Sequence, residues 1–146
     1  MIEFFKTSIL VTAIISWFVA QLLKVIFVLI KSKRIDFYRL VGSGGMPSSH
    51  SSFVTSLATG VGLVEGFTSS MFAIAVVLSL VVMYDAAGVR RAAGQMARIL
   101  NNMVEKWEIE SQTMREKRLK ELLGHTPIEV LAGAILGCAI GIIRHL

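Results

Sequence analysis

The apolar positions of this chain fall into four long blocks separated by polar stretches, the pattern of membrane helices rather than of a soluble core. The first, residues 8–30, reads SILVTAIISWFVAQLLKVIFVLI. Its 23 positions at ~1.5 Å each cover ~34 Å, enough to cross a hydrocarbon layer of ~30 Å with some tilt. Gln21 and Lys24 are its only strongly polar members. The run continues past any plausible signal-peptide cleavage site, so it reads as a retained helix. Blocks at 48–64, 67–84 and 128–143 follow, the third of the four carrying AIAVVLSLVVM at its centre. The apolar part of the 48–64 block, Phe53–Val64, is rich in Ser, Thr and Gly and reaches spanning length only if Pro47–Ser52 join it, with Pro47 in the first turn. In the last block Gly133, Gly137 and Gly141 repeat every four residues, a small-residue face that admits another helix closely. Packing within the chain is the first reading of that face, and a homo-oligomer seam the second.

Two polar loops, 31–47 and 85–127, separate these blocks. The stretch between Tyr84 and Pro127 holds eight Lys/Arg and six Asp/Glu. Val104, Trp107, Met114, Leu119, Leu122 and Leu123 recur there at roughly helical spacing, which predicts an amphipathic helix on the membrane or against the bundle. Lys31, Lys33, Arg34 and Arg39 make the first loop basic too, whereas the opposite side receives only Lys6, the turn around Glu65, and Arg144. The positive-inside rule then places both loops in the cytoplasm and both termini outside, with a plasma membrane as the expected location. The predicted architecture is all-α: one integral membrane domain over 1–146, a polytopic helical bundle of about four transmembrane helices plus a cytoplasmic amphipathic helix.

Composition narrows the class further. With 146 residues, 54% hydrophobic and 17% charged, and a mean hydropathy of +0.68, the chain is neither disordered nor an ordinary soluble globule. A single cysteine, Cys138, excludes an internal disulfide and a multi-cysteine zinc site. The net charge of +5 is mostly a topology signal. Acidic residues nearly cancel the basic ones in the long loop, so no nucleic-acid partner is expected.

Three stretches carry candidate chemistry. Gly42-Ser-Gly-Gly-Met-Pro-Ser-Ser-His-Ser-Ser52 joins flexible glycines to a serine-capped helix start, where free N–H groups suit phosphate, with His50 one turn in. Gly124-His-Thr-Pro-Ile-Glu129 sets His125 before a helix-opening Pro127 and Glu129 in the first turn. There the carboxylate can accept from the imidazole and raise its nucleophilicity toward phosphorus. Asp85-Ala-Ala-Gly-Val-Arg-Arg91 offers Arg90 and Arg91 as forks for phosphate oxygens, with Asp85 able to fix one of them. Each stretch also has a plain structural reading: a capped helix with an interfacial histidine, a histidine beside a capping glutamate, and arginines anchored at headgroups. The topology brings all three to one membrane face, which suits metal-free phosphoryl transfer.

Gly44-Gly-Met-Pro-Ser-Ser-His50 resembles the Pro-Ser-Gly-His motif of the phosphatidic acid phosphatase type 2 superfamily, which includes vanadium-dependent haloperoxidases. Gly124-His-Thr-Pro-Ile-Glu-Val-Leu-Ala-Gly-Ala-Ile-Leu-Gly137 is similar to that superfamily's third motif. With Asp85-Ala-Ala-Gly-Val-Arg, nearly the whole chain looks like its small divergent membrane branch. The resemblance implies His125 as nucleophile, Glu129 as its orienting acid and His50 as the acid that protonates the leaving alcohol. It implies Gly45, Ser48 and Ser49 as holders of phosphate oxygens. The chain departs from the pattern in having Glu129 for Asp and Ser49 for Gly, and Leu119 where an arginine is expected. The first motif's Lys and Arg-Pro are absent: Lys33 and Arg39 have five residues between them rather than six, and Leu40 follows. Arg90, Arg91, Lys33, Arg39 and Lys24 are therefore the candidate cations.

The expected activity is a membrane phosphatase on a lipid phosphomonoester or pyrophosphate, with no cofactor and no metal. The alternative is a non-catalytic membrane protein that binds anionic headgroups or a partner; haloperoxidase activity is a distant third. The catalytic reading requires His50 and His125 to face one anion-sized gap with Glu129 on His125 and an arginine pointing in. For Lys24, snorkelling toward the headgroups is the first reading and an inward, phosphate-binding orientation the second.

Overall fold

The computed structural model describes residues 8–32, 45–108 and 124–146. Within them the chain forms five helices: α1 (Ile9–Ser32), α2 (Ser49–Glu65), α3 (Ser70–Ala87), α4 (Val89–Glu108) and α5 (Pro127–His145). Three stretches are long and apolar enough to cross a membrane: Ile9–Ile30, Ser70–Met103 and Pro127–His145. The protein is thus an all-α integral membrane bundle. The block expected as a span at 48–64 is α2, whose 17 residues cover only ~25 Å. It is not one of the three, and it sits among α1, α3 and α5, which all pack on it.

This arrangement is polar inside and apolar outside. Along α2, Ser49, Ser51, Ser52, Thr55 and Ser56 are buried together with Gly60 and Gly62. Leu10, Phe18 and Leu22 of α1, Val77 and Val81 of α3, and Leu131 and Ile135 of α5 are exposed instead. Lipid tails are as apolar as these side chains, so exposing them to the bilayer costs nothing, and small polar residues let the helices approach and bond. Ser16 Oγ donates to Ser52 O (3.0 Å) while Ser52 Oγ donates to Ser16 O (3.3 Å), a reciprocal tie between α1 and α2. At the end of the bundle away from His50, Arg144 Nε donates to Thr12 Oγ1 (3.2 Å), and His145 Nε2 lies 3.0 Å from the same hydroxyl.

The glycine stripe of α5 lies against α2. A Cβ at Gly133 would overlap the Ser48 carbonyl, and one at Gly137 the Ser52 carbonyl and Thr55 hydroxyl. One at Gly141 would come within 2.8 Å of Thr59 Cβ. Thr55 Oγ1 donates across this seam to Ala134 O (3.1 Å). α2 occupies the face of Gly133, Gly137 and Gly141, so the first reading of it, packing within the chain, holds, and that face is not open to a second copy. Gly137→Ala is expected to destabilise the protein by about 1–3 kcal/mol through overpacking, read as a lowered unfolding midpoint in detergent. Ile135→Ala, on the exposed side of α5, serves as a control with little change.

Local signals explain the helix ends. Ser48, Ser69 and Thr126 are N-caps whose hydroxyls accept from the backbone N–H three residues on. Pro47 lies before the Ser48 cap rather than in the first turn expected for it. At Gly88 the backbone leaves helical geometry (φ −105°, ψ −81°), which separates the apolar α3 from α4. Val89, Met96, Ile99, Leu100 and Met103 line one exposed stripe of α4, so the first part of the long loop is an amphipathic helix. Of the residues on which such a helix is expected, the side chains of Val104 and Trp107, and Met114, Leu119, Leu122 and Leu123, lie outside the described residues.

Candidate active site

The starts of α2 and α5 and the end of α3 meet at one end of the bundle. Ser48 N–H donates to Glu129 O (2.9 Å), joining the two helix starts, and His125 N–H donates to Ala86 O (3.0 Å), joining α5 to α3. A Cβ at Gly124 would overlap the backbone of Arg91, so only glycine permits this approach. These contacts bring His50 and His125, 75 residues apart in sequence, to a ring-centroid distance of 6.0 Å at an interplanar angle of 66°.

His125 is held chiefly by Glu129, and the Gly45 backbone also acts on its ring. Its Nδ1 lies 3.2 Å from Glu129 Oε2. An ionised carboxylate accepts, so Nδ1 carries the proton and Nε2 keeps its lone pair. Nε2 is buried and has no hydrogen-bond partner among the described residues. Glu129 is fixed in turn by a capping box: its Oε2 accepts from Thr126 N–H (2.9 Å), while Thr126 Oγ1 accepts from Glu129 N–H (3.4 Å). His125 is 1% exposed. Burial, and then the nearby Lys24 charge, push its imidazole below the ordinary value, with the Glu129 carboxylate and the Gly45 backbone opposing.

The shift has a signed consequence for stability. The unfolded chain takes up this proton near pH ~6.5, the folded chain only at lower pH. Folding stability is therefore expected to fall as pH drops below ~6.5 and to level off below the folded value. Comparing pH-dependent unfolding of the protein with that of His125→Gln checks this, because the variant lacks that part of the slope.

His50 is half-buried in the first turn of α2, and its Nδ1 is a second buried nitrogen without a partner among the described residues. Lys24 supplies the charge at this site. It is 1% exposed, which rules out snorkelling. Its stem runs under the turn at Gly45, where a Cβ would sit 3.2 Å from Lys24 Cγ. Gly45 has φ +87°, so glycine is required there both for conformation and for closeness. Lys24 is near enough to Glu129 and to both imidazoles to act on each electrostatically.

The other candidates divide. Ser48 and Ser49 are buried at the α2 start. The Ser48 hydroxyl oxygen already accepts from Ser51 N–H (3.4 Å) and Ser51 Oγ (3.0 Å), which leaves its proton as what it can offer an anion. Arg90 Nε donates to Asp85 Oδ2 (2.6 Å), both side chains being substantially exposed (48% and 38%). Arg90 thus sits at the rim, near enough to His50 to act on it electrostatically. Arg91 is exposed, and its backbone rather than its fork meets the site at Gly124. Lys33 and Arg39 lie outside the described residues. Sequence reasoning missed Thr126, although Thr126-Pro-Ile-Glu129 is a legible capping box, and missed Ala86, whose role is a backbone carbonyl and leaves no side-chain signal.

Fold and site together define a polytopic helical membrane protein with a pair of facing histidines, one of them buried, at one end. The Divergent PAP2 family matches residues 5–140, and the chain belongs to that family. It is 41% identical over 128 residues to an uncharacterized membrane protein, YuiD, of Bacillus subtilis (strain 168), with 81% of each chain covered. No solved structure matches.

Proposed function

We propose that this protein is a membrane phosphatase that hydrolyses a lipid phosphomonoester or pyrophosphate through a phosphohistidine on His125. The carrying observation is the pair of imidazoles 6.0 Å apart, one fixed by Glu129 with its far nitrogen unpartnered. In this reading the Nε2 lone pair attacks phosphorus, and the bond to the leaving oxygen breaks. His50, protonated, gives its proton to that oxygen and so leaves neutral. Water then attacks the phosphorus of the N–P bond while His50 takes a proton from it, which returns His125 and His50 to their starting forms. Glu129 steadies the positive charge that His125 acquires, and Lys24, with the Ser48 and Ser49 region, holds the non-bridging oxygens. Arg90 screens an arriving headgroup at the rim, and the charge of the basic loops supports a site that faces the cytoplasm at the plasma membrane.

The test is phosphate release from a panel of lipid phosphates by purified protein in nanodiscs. Release expected from the parent protein is lost in His125→Ala. Tight headgroup binding without release from any lipid would favour the non-catalytic reading, to which the pairing of Arg90 with Asp85 outside the pocket lends some support.

A further inference from the structure

Below the histidine pair, α3 and α5 part. They are joined where His125 N–H meets Ala86 O and where Gly124 meets Arg91. Further into the membrane a crevice of about 290 Å³ opens between them, with Thr55, Ala58 and Thr59 of α2 as its floor. Val76, Leu80 and Met83 form its α3 wall, Phe67 and Phe72 close its far end, and Cys138 stands on its α5 lip. Met83 is one helical turn from Ala86, so the near end of the crevice begins ~5 Å from the carbonyl that anchors His125.

The crevice is apolar in effect even where it is lined by hydroxyls. Thr55 Oγ1 shares its proton between Ser51 O (2.8 Å) and Ala134 O, and Ser79 Oγ shares its proton between Ala75 O (2.8 Å) and Val54 O (2.9 Å), so both turn their protons to backbone carbonyls. The faces beside it, at Val77 and Val81 of α3 and Leu131 and Ile135 of α5, are exposed apolar surface of membrane-spanning helices. It therefore opens sideways onto lipid. Its volume is at the small end of ligand pockets, which run about 300–1,000 Å³, room for one slender chain rather than for a two-chain lipid body.

We infer that this crevice is a binding site for a single hydrocarbon chain of the substrate lipid, entering between α3 and α5 while its phosphate lies at His125. The inference rests on the phosphatase reading for what sits at the headgroup end, and on the crevice alone for the chain. A chain held here fixes the depth of the phosphate relative to His125. It also makes long, slender chains better ligands than short ones.

The test uses a long-chain lipid phosphomonoester with a photoactivatable diazirine at mid-chain, cross-linked to the protein in nanodiscs and mapped by peptide mass spectrometry. Adducts are expected on Val76, Leu80, Met83 and Cys138. An unlabelled long-chain lipid phosphate should displace them at concentrations at least tenfold lower than a short-chain one requires. Cys138→Trp, at an exposed position on the lip, should reduce that preference at least tenfold without unfolding the protein, and Val76→Trp should do the same from the opposite wall. Adducts spread over Val77, Val81, Leu131 and Ile135, insensitive to both variants, would overturn the inference. The same chain ending in a neutral alcohol separates the two readings. If it labels the crevice as well as the phosphate does, and His125→Ala alters neither, the chain site stands and the headgroup reading falls.

Discussion

Replacing His125 with alanine is expected to lower phosphate release from a lipid phosphomonoester by about 10³-fold or more, because no other described side chain can take its place. Nδ1 is committed to Glu129 and Nε2 has no partner among the described residues, so the lost group is the one whose lone pair is free. That loss corresponds to about 4 kcal/mol or more of transition-state stabilisation. The fold should survive the change. Glu129 keeps its bonds with Thr126, and the backbone N–H of residue 125 still reaches Ala86 O. Circular dichroism and the unfolding midpoint in detergent separate a chemical loss from a structural one. His50→Ala should cost less, about 10²–10⁴-fold, the usual range for a general acid.

The second large effect is expected at Lys24. Lys24→Met keeps the apolar stem under Gly45 and removes the charge beside His125. Affinity for orthovanadate or inorganic phosphate should drop about 10–100-fold, the worth of a hydrogen bond to a charged group at ~1.5–3 kcal/mol. Release of phosphate should fall further, since an oxyanion partner matters most in the transition state. Isothermal titration with vanadate and a turnover assay measure the two quantities separately. Unchanged vanadate affinity would show that this buried ammonium only supports the bundle.

Lys24 also marks where the sequence is hard to read. A lysine six residues from the end of an apolar block is compatible with snorkelling or with an inward orientation, and the local pattern favours snorkelling. The deciding information is spread along α1. Ser8, Thr12, Ser16, Ala20 and Lys24 repeat every four residues and so share one face. Thr12, Ser16, Ala20 and Lys24 are all buried, so the stripe itself points to the bundle interior. The spanning helices are legible because a long unbroken apolar run is stable in a bilayer and in few other surroundings. The helices α1, α3 and α5 begin and end within three residues of the apolar blocks, although the apolar stretch that starts with α3 runs on to Met103. The interior position of α2 is less legible. Its serines, threonines and glycines look like a weak span until the neighbouring helices are seen to need small residues.

At the site, His125 and Glu129 can be read as a pair because four-residue spacing on a helix start makes them neighbours. The approach of His50 can be anticipated only from topology and family resemblance, since no local rule connects residues 75 positions apart. Choosing among the cations is beyond spacing altogether. Arg90 and Arg91 are adjacent in sequence, yet one pairs with Asp85 and the other turns its backbone to Gly124. The small-residue stripe of α5 suits either a partner helix in the same chain or one in a second copy; only the position of α2 decides between them.

The most direct measurement of the central claim traps the intermediate. Protein in nanodiscs is mixed with a radiolabelled lipid phosphomonoester, quenched in alkali within the first turnover and analysed by peptide mass spectrometry. Alkali is used because the N–P bond of phosphohistidine is labile to acid. The account predicts one phosphoryl group on His125, formed no later than free phosphate appears and absent in His125→Ala. Phosphate release with no adduct on His125, or with the adduct on another residue, would contradict it.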